Sequence, residues 1–441
     1  MADPKENQQS IIVLAGIVTV LTAALLYVLG PSLIPASLSV EGTKVYFADR
    51  ISPAHRKIID RFNELHRGRI EILPVDLPFD KFSTNERKEL LARSLRSRSD
   101  KLDLFSVDLI WVQRFARWCE PLDRYFPPEQ RKDLIPVALE SCFYETTLVA
   151  MPLHIDIGLM YYRQDLLRSL PDAAAVEDRW RASISWPEFI GLQRRLKYTG
   201  KPYYIFQGDE FEGLVCNYLE LVRGQDPGAV SSTKIDLSSV AARSALQMLV
   251  DLVYTEKMSP LRVTEFDEPR SYTFMLDSNA VFVRGWPNFV ENFRATYPDT
   301  SRLIHVRKAA LPHFGGQPPT SVFGGWNLML SKFSTRKAEA LEFIRFVETK
   351  EAQQILYESD GFLPVTNAIY SDSLYMGTHP DLGYYHKLLS RGFHRPALVD
   401  YTRISDILSH YVRRAILREL SVDEALRQAS EMIRANRVLL K

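Results

Sequence analysis

The stretch at 151–167, Met-Pro-Leu-His-Ile-Asp-Ile-Gly-Leu-Met-Tyr-Tyr-Arg-Gln-Asp-Leu-Leu, constrains the fold more than any other. Apolar runs at 148–153 and 157–162 enclose His154 and Asp156. Aliphatic runs of this length suit strands buried on both faces. An ionisable side chain inside such a run is costly to bury, so it faces a cleft or a partner. The stretch is expected to cross between two packed bodies, with its polar groups turned into the gap.

The remaining chain supplies the material for those bodies. Strands are expected at 44–48, 70–75 and 102–111, the last carrying Asp108 near its carboxyl end. Between them lie a helix at 53–66, with Ile58, Ile59, Phe62 and Leu65 at helical spacing, and another opened by the capping box Ser83-Thr-Asn-Glu86. On that second helix the basic run from Arg87 to Arg98 reads as a solvated face. Past the crossing, Ser185-Trp-Pro-Glu188 and Ser421-Val-Asp-Glu424 open further helices, and strands are expected at 203–207, 280–283 and 323–330. Such alternation predicts an α/β protein whose mostly parallel sheets carry helices on both faces.

Ahead of this region, residues 11–30 contain no charge and end at Pro31. Twenty such residues can span a bilayer as a helix and exceed a usual signal core. A transmembrane anchor or uncleaved signal is expected there, after a polar stretch at 1–10 and before a tether at 31–42. Cleavage near Ser37-Leu-Ser39 is the alternative, and no Cys follows to carry a lipid. Lys+Arg 55 against Asp+Glu 54 leaves no basic field for a nucleic-acid partner. Cys119, Cys142 and Cys216 follow no metal or redox spacing, leaving buried free thiols or one bridge between Cys119 and Cys142.

Phosphate-loop, dinucleotide-binding, His-Glu-x-x-His and Gly-x-Ser-x-Gly motifs are absent, so no catalytic residue, metal or cofactor is expected. Candidates for binding stand on loops or strand ends: Asp108, His154, Asp156, Trp286, Trp326 and Arg395. Aromatic faces stack on the CH faces of a pyranose, while carboxylates accept its hydroxyls in charge-assisted bonds. That combination suits a sugar. Local alternatives are simpler: Asp108 as a cap, Gly324-Gly325 as a turn before Trp326, His154 as a core histidine, Arg395 in a surface loop.

Five blocks in order carry a resemblance. They are 86–117 with Val107-Asp-Leu-Ile-Trp111, 151–167 with Ile155-Asp-Ile-Gly158, 207–218, 277–287 ending Arg-Gly-Trp-Pro, and 323–363 with Gly-Gly-Trp-Asn-Leu. From Thr43 onward the chain is similar to family 1 extracellular solute-binding proteins of ABC importers, especially the trehalose/maltose-binding branch. The resemblance implies a type II periplasmic-binding-protein fold, two α/β lobes with a ligand cleft between them. Lobe 1 is expected over 43–153 with a return at 289–328, and lobe 2 over 154–288 and 329–441. It implies that Asp108, Asp156, Trp286, Trp326 and Arg395 contact a di- or oligosaccharide. His154 stands where that branch commonly has Tyr.

A carbohydrate ligand, ABC permease subunits, a membrane contact through 11–30, a monomeric state and an extracytoplasmic location follow as expectations. Two rival readings use the same residues. One is a membrane-tethered sugar sensor. The other is a glycosidase, since paired carboxylates also hydrolyse sugars.

Overall fold

The computed structural model describes residues 42–77 and 84–439. The expected anchor at 11–30, nearly all of the tether and Ser83 of the first capping box lie outside the described residues. Among the described residues, no helix is long and apolar enough to cross a membrane.

Ten strands position the site: β1 Thr43–Asp49, β2 Ile70–Asp76, β3 Leu104–Asp108, β4 Met151–Ile157, β5 Leu159–Arg163, β6 Tyr204–Ile205, β7 Phe282–Gly285, β8 Val306–Ala309, β9 Ser321–Leu330 and β10 Gly392–Phe393. One sheet runs β10-β9-β3-β1-β2, with β4 also paired to β9; the other runs β8-β5-β7-β6. Strand β1 is parallel to β2 and β3, whereas β9 is antiparallel to β3 and β4. In the second sheet β5 is antiparallel to β7 and β8, and β7 is parallel to β6. Both sheets are thus mixed, and their antiparallel pairs involve the strands nearest the crossings.

Every residue of β4 and β5 is buried. The expected crossing is therefore two strands in two sheets, with Gly158 as the corner. A Cβ on Gly158 would lie 2.2 Å from Glu220 Oε1 and 2.7 Å from Arg284 Nη2. Only glycine leaves room for that ion pair beside the corner.

The helices Pro53–Leu65, Lys337–Val347 and Lys350–Asp360 pack together on the first sheet. The helices Glu212–Gln225, Val240–Tyr254, Tyr401–Ile416 and Val422–Arg434 form a layer of the second lobe. The lobe boundaries read from sequence shift accordingly. β8, within the expected return to lobe 1, belongs to the second sheet, and 337–360, expected in lobe 2, covers the first. Apolar periodicity identifies an element but not the sheet that buries it.

The strand expected at 102–111 stops at Asp108. Its carboxylate accepts the Ile110 N–H at 3.1 Å and turns the chain into a 3-10 turn, Leu109–Trp111. Ser185 and Ser421 cap their helices by accepting the N–H of Glu188 and Glu424. Cys119, Cys142 and Cys216 are free and buried.

Candidate functional site

Strands β1, β2 and β3 run parallel and end in Asp49, Asp76 and Asp108, so three carboxylates gather at one sheet edge. Ligand crevices of α/β sheets lie outside such carboxyl ends. Register then builds a row across three strands, because Trp326 on β9 pairs with Asp108 on one side and His154 on the other. Gly325, at φ +132°, lets β9 approach β4: a Cβ there would sit 2.6 Å from the His154 carbonyl oxygen.

The Trp326 ring stands edge-on to Trp111, with centroids 6.0 Å apart, and the Arg87 guanidinium lies 4.6 Å from its centroid. Arg87 donates to Asp49 at 3.1 Å. Arg87 is 1% exposed and Lys88 4%, which corrects the reading of this basic run as a solvated face. Their helix, Thr84–Arg96, begins near the same edge as the strand ends, so Arg87 and Lys88 are buried there while Glu86 and later basic residues such as Arg93 and Arg96 are exposed.

His154 stacks on Phe362, with centroids 4.1 Å apart and planes 14° apart. Its Nδ1 lies 3.5 Å from Asp156 Oδ2 without making a hydrogen bond, and Asp156 Oδ1 also has no hydrogen-bond partner. Burial, reinforced by His55, holds His154 well below its ordinary value. Burial, together with the Asp108 charge and opposed by Arg284, pushes the Asp156 carboxyl up to about 7. Below that pH the two face each other as neutral groups.

A pH dependence follows. An unfolded Asp156 would release its proton near pH 4, whereas the folded protein keeps it to about 7. The stabilisation is complete below about pH 4 and is lost as pH rises through about 7. Asp156→Asn should therefore gain about 2–4 kcal/mol more over the parent at pH 8 than at pH 5. Denaturant unfolding at the two pH values checks this, and parallel pH profiles would refute it.

Trp286 approaches from the second lobe. The Arg284 guanidinium lies 3.9 Å from its ring centroid, and its indole N–H donates to Glu268 at 3.3 Å. The ring edge meets Gly324, where a Cβ would come 2.9 Å from Trp286 and 3.1 Å from Asp156 Cβ. Arg284 is itself fully buried and donates twice to Glu220, at 2.8 and 3.2 Å.

Arg395, 3% exposed, donates to Asp108 at 3.2 Å, to Glu212 at 2.6 Å and to the Phe323 carbonyl at 3.3 Å. Glu212 also accepts from the hydroxyls of Tyr401 and Ser405. Burial raises Glu212 above the ordinary carboxylate value, while Arg395 and Ser405 oppose the rise. All six residues singled out from sequence thus meet around one edge. Sequence reasoning missed Asp49, Arg87, Lys88, Glu212, Tyr401 and Ser405. The one available signal was Arg87-Lys88 standing at the start of a helix that follows a parallel strand. Among the described residues, no group of three or more His, Cys, Asp or Glu could hold a metal ion.

A family model described as bacterial extracellular solute-binding protein matches residues 48–354. A protein of Deinococcus radiodurans, named a probable ABC transporter-binding protein, is 25% identical over 350 residues, spanning 78% of this chain and 82% of that protein. Maltose-bound MalE3 of T. maritima superposes with TM-score 0.78 at 25% identity, covering 89% of this chain and 100% of that one. The GacH receptor of Streptomyces glaucescens shares the fold, with TM-score 0.75 at 18% identity over 89% and 98% of the two chains.

Proposed function

Because the chain belongs to the family of bacterial extracellular solute-binding proteins, which act outside the cytoplasm, we propose that it captures a carbohydrate for an ABC importer. The observation that carries this reading is the row Asp108–Trp326–His154, with Asp156 and Trp286 meeting beside it at Gly324. Two of these side chains hold buried polar atoms without hydrogen-bond partners, His154 Nδ1 and Asp156 Oδ1. Leaving a buried polar atom unsatisfied costs about 1–3 kcal/mol, so a hydroxyl-bearing ligand gains by satisfying them. Maltose in the T. maritima relative supports a di- or oligosaccharide.

In this reading Trp326 and Trp286 stack on sugar rings, and Asp108 and Asp156 accept hydroxyls. His154 sets specificity beside them, and Arg395 completes the wall. The lobes open and close about the crossings β4–β5 and β8–β9, and the ligand favours the closed form through its greater affinity for it. Residues 11–30 tether the protein to the membrane near its permease, a reading supported by their length and lack of charge. The tether also suits a sensor that hands its closed form to a receptor.

Titration calorimetry of the full chain against mono-, di- and oligosaccharides tests the proposal. One saturable isotherm with at least one sugar is expected. A folded protein that binds none of them would refute it.

A further inference from the structure

We infer that Arg395 is a clasp between the lobes, a positioning residue that holds them closed through contacts made entirely between protein atoms. Its guanidinium joins Asp108, at the carboxyl end of β3 in the first lobe, to Glu212, at the start of the helix Glu212–Gln225 in the second. The residue lies on the strap that leaves β10, at the edge of the first sheet, and enters the helix Tyr401–Ile416 of the second lobe. That helix fastens the far end of the clasp, since Tyr401 and Ser405 both donate to Glu212. One planar guanidinium spans two carboxylates only while they are close, so opening the lobes must break one ion pair or the other.

Two other contacts lie across the same division. Lys88 of the first lobe is within electrostatic reach of Asp406 and Glu212 of the second. At a second contact between the lobes, Gly361 follows the helix Lys350–Asp360 with φ +73°. A Cβ there would come within 3.2 Å of Glu291 and 3.4 Å of Asn288, beyond β7. The surfaces therefore meet at both places, with glycine at one and a charged clasp at the other. Arg395 side-chain exposure is 2%, and that of Asp108 and Glu212 is 18%, so solvent screens the clasp weakly.

This inference extends the solute-binding reading but is tested without any sugar. Spin labels on Ser97→Cys in the first lobe and Val240→Cys in the second, both exposed, report interlobe distance by double electron–electron resonance in the ligand-free full chain. The three native thiols are buried. The parent should show one dominant short distance, roughly nine-tenths of the population, falling below about half in Arg395→Gln. Glu212→Gln should open the lobes in the same direction while keeping Arg395, and it carries the test alone should Arg395→Gln not fold. Arg395→Lys should restore part of the short distance. A ligand-free parent that is already mainly open would overturn the clasp, as would folded variants with an unchanged distance distribution. Sugar binding by a parent with no clasp would leave the solute-binding reading standing.

Discussion

Replacing Arg284 by Met is expected to lower stability by about 3–5 kcal/mol, the cost of leaving a buried carboxylate without its cation. Arg284 is fully buried and Glu220 nearly so, and their two hydrogen bonds join β7 to the helix Glu212–Gln225. Glu220 also accepts the Val322 N–H on β9, at 3.2 Å, so the pair anchors a strand of the first sheet as well. Losing the guanidinium leaves Glu220 with that one N–H contact in a site that excludes water. The double variant Arg284→Met/Glu220→Leu should recover most of the loss, because two apolar groups of similar volume carry no desolvation cost. Guanidinium unfolding of the parent and the two variants measures both effects. A single-variant loss below about 1 kcal/mol would contradict this account, since that is the range of exposed ion pairs.

The second large effect concerns binding. Trp286→Ala is expected to weaken the best sugar of the panel by about 2–4 kcal/mol, or about 30- to 700-fold in Kd. The ring is only partly buried, yet it is fixed on three sides. Arg284 lies against it, Glu268 holds its indole N–H, and Gly324 meets its edge. A ring held in one orientation loses little entropy when a sugar stacks on it, which is the advantage of preorganisation. Trp286→Phe should lose less, because it keeps an aromatic face but not the bond to Glu268. Calorimetry compares the three proteins, and a change in Kd below threefold for Trp286→Ala would remove Trp286 from the stacking surface.

Much of this arrangement was legible from residue order alone. Ionisable residues inside an apolar run marked the crossing, and Asp108 near a strand end marked the sheet edge. Gly285 and Pro287 on either side placed Trp286 in a loop, and the chain does leave β7 there. What stayed hidden depended on pairing between distant segments. Nothing near Glu212 signals that Arg395, 183 residues later, will share its carboxylate with Asp108. Only their place near a helix start sets Arg87 and Lys88 apart from a solvated basic run, and it is the packing at the sheet edge that buries them. The lobe boundaries failed in the same way, because β8 reads alike whichever sheet receives it.

Three cysteines stand in a chain whose family acts outside the cytoplasm. Cys119 donates to the Phe115 carbonyl and Cys142 to the Ala138 carbonyl, while Cys216 lies within the helix Glu212–Gln225. Burial pushes all three thiols up, so little nucleophilic thiolate forms at physiological pH. Once folded, the chain offers no ready partner to oxidants, to mixed-disulfide formation or to a second copy of itself. Its vulnerable interval is the time before folding buries these sulfurs. The fold thus protects its thiols by covering them rather than by cross-linking them, and their reactivity belongs to the unfolded chain.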